Sequence, residues 1–143
     1  MTQSDIIAAA RSAIGTPFRH QGRMSASVTD CVGLAAHICD QLGVTYSDRS
    51  GYSRGPFNGL LEAALDGQDF IGRVFDGPFP GDLLLIRIKR EPQHVAVFAG
   101  YNPSCESDTM IHADASVGKV CEHTYTERWK ARTVRIYRFR GLS

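Results

Sequence analysis

The pattern of apolar and polar positions divides the chain near its middle. Counting from Cys31, the apolar positions Ala35, Ile38, Cys39 and Leu42 return on one helical face, with Thr29-Asp30 suited to capping its start and Gly43 to ending it. Upstream, Ser4 is placed to cap a first helix whose Ile6, Ile7, Ala10 and Ile14 form a stripe before Gly15 and Pro17 close it. Leu60-Leu61-Glu62-Ala63-Ala64-Leu65 is a short helix stopped by Gly67. After Pro80-Gly81 the period becomes that of strands. Residues 82–88 and 94–99 are apolar runs rich in branched side chains, separated by a charged turn, and read as antiparallel strands. Residues 110–113, 117–122 and 133–139 continue the pattern, the last with Val134, Ile136 and Arg138 on one face and Arg135, Tyr137 and Phe139 on the other. Helices first and strands later predict an α+β fold, N-terminal helices packed on a C-terminal antiparallel β-sheet.

Two stretches lack periodicity. Residues 16–28 form a polar loop directly before the Cys31 helix, where a loop can deliver side chains to a helix N-terminus. Around the short helix, residues 46–80 are dominated by glycine, serine, proline and aromatic residues, a connector long enough to wall a cavity. No internal repeat or low-complexity linker interrupts the chain.

Composition narrows the function without choosing it. At 143 residues the chain fits one domain, 1–143, which buries roughly two-thirds of its unfolded surface and needs no disulfide or metal to be stable. The net charge is +1 and the charges are dispersed, which argues against nucleic acid as a partner and against a polybasic membrane anchor. Met1-Thr2-Gln3-Ser4-Asp5 has neither the basic start nor the apolar run of a secretory signal, and no segment approaches the roughly 20 apolar residues of a membrane span. The expected location as synthesised is the cytoplasm. The four cysteines, at 31, 39, 105 and 121, make no C-x-x-C pair and no zinc-ribbon spacing, so the expectation is no metal and no cofactor. A Cys105–Cys121 bridge is disfavoured in a reducing compartment.

Candidate chemistry begins at Cys31. A thiol in the first turn of a helix meets unpaired backbone N–H groups and the positive end of the macrodipole, which favour the thiolate. Packing is the competing reading for any cysteine in an apolar helix, and it suits Cys39 well. The second signal is His94 with His112 in the strand that follows. A thiol becomes a good nucleophile when an imidazole takes its proton and a third polar group fixes that ring, and Cys31, His94 and His112 can fill those roles. A single strand histidine is more often a satisfied surface or core residue. Two histidines and a cysteine could also hold zinc, but no H-E-x-x-H or close cysteine spacing supports it.

Five short runs in order carry a resemblance: Gly15-Thr16-Pro17-Phe18-Arg19-His20-Gln21, Asp30-Cys31-Val32-Gly33-Leu34, Pro80-Gly81-Asp82-Leu83-Leu84, His94-Val95-Ala96-Val97-Phe98 and Met110-Ile111-His112-Ala113. Together they resemble the NlpC/P60 family of cell-wall cysteine peptidases across nearly the whole chain. The Thr16 to Gln21 run and residues 129–139 look most like compact single-domain members found in phage tails and gene transfer agents, which implies such proteins as partners and a phage-like particle as a destination. The resemblance implies a papain-like fold with Cys31 as nucleophile, His94 as general base and His112 as the orienting third member. It implies a peptidoglycan stem peptide as substrate, cut beside D-glutamate and a diamino acid, with the oxyanion held by N–H groups at the helix start. Asp30, Phe18, Arg19, His20 and Val32 are the implied substrate-binding residues. Val32 stands where family members commonly have serine, and Phe18 where they often have tyrosine. Residues 102–108 look like a lengthened hairpin loop. These departures keep open two other readings, a tail-tip structural or binding component with little turnover and a thiol acyltransferase.

Overall fold

A computed structural model describes residues 1–48 and 59–143. The first helix, α1 (Gln3–Arg11), is capped by Thr2 rather than by Ser4. Thr2 Oγ1 accepts from the Asp5 amide at 3.2 Å and Asp5 Oδ2 accepts from the Thr2 amide at 2.8 Å. The residue three beyond Ser4 is Ile7, which cannot answer such a bond, so the reciprocal box forms two residues earlier than expected. The helix also stops short of Ile14, leaving that side chain 45% exposed.

The helix α2 (Cys31–Leu42) has the predicted bounds, with Asp30 as its N-cap and Gly43 at φ 68° as its C-cap. A third helix, α3 (Leu60–Asp66), turns Leu61 and Leu65 into the core. The strands are β1 (Ile71–Val74), β2 (Leu83–Ile88), β3 (Glu91–Asn102), β4 (Ser107–Asp114), β5 (Lys119–Thr124) and β6 (Thr133–Phe139), with α4 (Glu127–Arg132) between the last two. They form one antiparallel sheet in the order β1-β6-β2-β3-β4-β5.

Besides the single 3₁₀ turn Met24–Ala26 in the polar loop, two elements escape the sequence pattern, β1 inside the connector and α4 before β6. Both are short, and neither carries a periodic apolar face of its own. Residues 49–58 of that connector, and any wall they make, lie outside the described residues. The expected long loop at 102–108 is instead a long hairpin, since β3 and β4 stay paired out to Asn102 and Ser107. All four cysteines are free, and Cys105 is exposed beside that turn. Among the described residues no helix is long and apolar enough to cross a membrane.

The sheet is covered on both faces. Toward the helices, Leu83, Leu85, Val95, Val97, Ile111 and Tyr137 pack with Ile6, Ala10, Leu34 and Ile38. On the other face Leu84, Ile86, Ala96, Phe98 and Met110 pack with Tyr125, and Trp129 of α4 leans on the same cluster. That double coverage explains the unbroken apolar run at the start of β2, where alternation would leave one side polar.

The Pro80-Gly81-Asp82 turn fixes where β2 enters. The Gly81 amide donates to Phe98 O at 2.8 Å and the Phe98 amide to Asp82 O at 2.8 Å, which joins the turn to β3. Asp82, 1% exposed, accepts from Arg138 Nε and Nη2 at 2.9 Å each and from the Phe79 amide at 2.8 Å, which joins it to β6. Such a bidentate pair is stable as a unit and costly to halve. Asp82→Asn is expected to lower the unfolding free energy by about 2–3 kcal/mol, read as an earlier urea midpoint with unchanged slope.

Candidate active site

Cys31 is the first residue of α2, and the loop before it is built to hold that helix end in place. Asp30, 3% exposed, accepts through Oδ1 from the Gly33 amide at 2.8 Å and from Arg23 Nη1 at 3.2 Å, and through Oδ2 from the Gln21 amide at 2.9 Å. One carboxylate thus ties the helix start to the polar loop. Gly33 is required by close approach, because a Cβ there would run into Gly22 O and Thr29 Oγ1. The loop is held on its other side by β5. The Gly15 amide donates to Val120 O at 2.9 Å and the Phe18 amide to Gly118 O at 2.8 Å, while the Arg19 amide donates to Thr29 O at 3.0 Å.

These contacts set one wall of a cleft of ≈ 860 Å³ lined by Phe18, Arg19, His20, Asp30, Cys31, His94 and His112 among others. Seven of the eight residues singled out in the sequence therefore meet at one place. Val32 is the exception. It is half-buried against the helix-side core and does not line the cleft, because the residue after Cys31 on a helix points some 100° away from it.

From His94 and His112 on the opposite wall a row of imidazoles leads back to His123. His94 Nε2 lies 2.7 Å from His112 Nδ1, His112 Nε2 lies 2.7 Å from His123 Nε2, and His123 Nδ1 lies 3.0 Å from the Thr124 carbonyl oxygen. With the rings neutral, their tautomers follow from the last contact. A carbonyl only accepts, so His123 carries its proton on Nδ1 and offers Nε2 as acceptor. His112 then donates from Nε2 and accepts at Nδ1, and His94 donates from Nε2. The lone pair left over at the head of the row is Nδ1 of His94. Trp129 stands edge-on to His112 with ring centroids 5.2 Å apart and also contacts His123, which limits rotation of both rings.

Burial governs the charges. It pushes the Cys31 thiol up to about 12, helped by the negative charge of Asp30 and opposed by the amides of Val95, Val32 and Cys31 itself. The thiolate expected from the helix N-terminus is therefore not the resting form: desolvation exceeds the help from the amides. Burial likewise pushes His94 down to about 4, against the pull of Asp114 and Asp30, and lowers His112, which also has rings on both sides. The arrangement is a neutral thiol beside neutral His94 and His112, able to move a proton when a charge begins to form on sulfur.

His123, Trp129, Asp114, Arg128 and Arg132 also belong to this region and went unnoticed in the sequence. The signal for His123 was present in principle. His112 stands opposite Cys121 across the β4–β5 hairpin, so His123, two residues along, shares its face.

A cysteine at a helix start and a histidine-bearing antiparallel sheet meet at one cleft of an α+β domain. The chain belongs to the NlpC/P60 family, whose model matches residues 15–138. Its fold is similar to the NlpC/p60 domain of the peptidoglycan hydrolase SagA, with a TM-score of 0.63 and 23% identity over 97% of this chain and 100% of that one. It is similar also to an NlpC/P60 family protein from Bacillus cereus, TM-score 0.62 and 19% identity over 97% of this chain and 40% of that one. The peptidoglycan hydrolase RipB from Mycobacterium tuberculosis gives 0.60 and 22% over 95% and 63%. No curated protein matches the chain.

A neutral resting thiol has a measurable signature. Alkylation of Cys31 by iodoacetamide, followed by peptide mass spectrometry, is expected to rise about tenfold per pH unit from pH 7 to 10. Exposed Cys105 reacts first, and fully buried Cys39 stays unmodified while the protein is folded. A plateau below pH 8 would show that Cys31 is already ionised.

Proposed function

We propose that this chain is a cysteine peptidase that hydrolyses peptidoglycan stem peptides beside D-glutamate and a diamino acid, with Cys31 as nucleophile, His94 as base and His112 as the orienting residue. The observation that carries this reading is the shared cleft, lined by Cys31, His94 and His112, together with the hydrogen-bonded row that leaves the lone pair of His94 on Nδ1. The family membership and the similarity to two peptidoglycan hydrolases support the substrate class.

The reaction starts uncharged. As sulfur bonds to the scissile carbonyl carbon, the thiol proton passes to Nδ1 of His94 and the carbonyl electron pair moves to oxygen. The N–H groups of Cys31 and Val32, which have no intrahelical acceptor at the start of α2, are the donors available to that oxyanion. Breaking the C–N bond sends the proton from His94 to the leaving amine and leaves a thioester. Water then attacks, giving its proton to His94, and cleavage of the C–S bond returns that proton to sulfur.

Substrate choice rests on charge at the cleft rim. Arg19, Arg128 and Arg132 line it, and guanidinium groups suit the carboxylates of a stem peptide. Phe18 and His20 add ring side chains to the same lining, and Asp30 acts by holding the loop that presents them. The likeness of residues 16–21 and 129–139 to phage-tail and gene-transfer-agent members extends the proposal to delivery by such a particle, and absence of the chain from purified particles would refute that extension.

The test is mass spectrometry of purified muropeptides incubated with wild type and variants. Wild type is expected to release stem-peptide fragments and Cys31→Ala none, with His94→Ala slower by about 10²- to 10⁴-fold and His112→Gln slower by less. Intact muropeptides retained in a tight complex would point to a wall-binding component, and a new amide formed with an added amine to acyl transfer.

A further inference from the structure

The β4–β5 hairpin gathers more metal-binding chemistry than proton transfer needs. His112 is paired with Cys121, and Asp114 and His123 lie two residues along their strands on the same face. One ligand atom from each, a ring nitrogen of His112 and of His123, a carboxylate oxygen of Asp114 and Cys121 Sγ, lies within 4.8 Å of all the others, and the two histidines approach each other through Nε2. From these residues we infer a binding site for a divalent zinc-class ion, one that shuts off the row of imidazoles when it fills.

The donor set suits zinc. Two imidazoles, one thiolate and one carboxylate are all ligands that Zn²⁺ accepts in tetrahedral array, and the thiolate argues against magnesium or calcium. Bond lengths of about 2.0–2.3 Å place tetrahedral ligand atoms roughly 3.3–3.8 Å apart. Asp114 Oδ2 is already 3.7 Å from His112 Nε2, while the 2.7 Å contact between the two imidazoles has to open and the wider separations, up to 4.8 Å, have to close by about 1 Å.

The surroundings orient the ligands. Asp114 Oδ1 accepts from the Ser116 amide at 2.9 Å and its hydroxyl at 2.7 Å, which turns Oδ2 toward the histidines. His123 donates from Nδ1 to a backbone carbonyl, the outer-shell bond that fixes a ligating imidazole with Nε2 as donor to the metal. His112 and Asp114 line the cleft, so an ion has a way in.

The inhibitory consequence rests on the peptidase reading, whereas the site itself does not. An ion on Nε2 of His112 requires that ring to carry its proton on Nδ1, where it faces His94 Nε2. His94 must then accept at Nε2 and carry its own proton on Nδ1, the atom that has to receive the thiol proton. Each imidazole keeps one proton throughout, and the proton released on binding comes from the Cys121 thiol. The filled site and a working base are mutually exclusive.

The experiment uses Co²⁺ and Zn²⁺ with the full chain. Co²⁺ is expected to give a near-ultraviolet thiolate charge-transfer band that Zn²⁺ displaces, present in wild type and Cys31→Ala and lost in Cys121→Ser. Calorimetry with Zn²⁺ is expected to show one site, weakened at least about tenfold by Cys121→Ser or Asp114→Asn. Where muropeptide cleavage is observed, Zn²⁺ is expected to stop it in wild type, reversibly with a chelator, and to spare Cys121→Ser, whose metal-free activity is unchanged. Absence of the band, a band lost in Cys31→Ala but kept in Cys121→Ser, or cleavage by the zinc-loaded wild type would overturn the proposal. If no muropeptide is cleaved, the spectral and calorimetric results still decide the site, and only the peptidase reading fails.

Discussion

The proton that His123 gives to the carbonyl oxygen of Thr124 decides where the other protons in the row of imidazoles sit. A carbonyl offers lone pairs and no hydrogen, so it removes the ambiguity that two equivalent ring nitrogens would leave. The choice passes through His112 to His94 and ends as a lone pair on Nδ1. A backbone atom near the end of β5 thereby sets the chemical state of a side chain near the start of β3. Contact with Trp129, edge-on for His112 and tilted for His123, keeps the two distal rings from turning out of line.

Cys31 shows what a site under an apolar core gives up. The amino end of α2 offers amides to the sulfur, yet the residue is only 9% exposed and feels the negative charge of Asp30. Burial raises the energy of the thiolate and of the imidazolium alike, so neither charge stands ready. A thiol in that state can be activated only by geometry, with charge appearing on sulfur while a neighbouring base removes the proton. Asp30 meanwhile binds two amides and a guanidinium, which makes it the fastener between the helix and the loop that lines the cleft.

Two seams hold the cleft's walls at a fixed separation. On one side the 15–19 segment is stitched to Gly118, Val120 and Thr29, with Gly33 close against Gly22 and Thr29. On the other, the entry to β2 is bound to β3 through backbone bonds and to β6 through the Asp82–Arg138 pair. The same hairpin that carries the distal imidazoles also places Asp114 and Cys121 beside them, so proton relay and metal chemistry draw on shared nitrogens.

What could be read from the sequence was local. The bounds of α2, its cap at Asp30, its stop at Gly43 and the branched runs of the later strands depend on residues within a few positions of one another. So does the pairing of a cysteine with a helix start. The first cap moved from Ser4 to Thr2 because the answering carboxylate is Asp5, and β1 and α4 were missed because segments of four and six residues take their structure from neighbours. The state of Cys31, the place of Val32 and the role of His123 were settled by tertiary structure. They depend on how deeply a helix end is covered and on which residues face one another across a hairpin, and both are fixed only when distant segments pack.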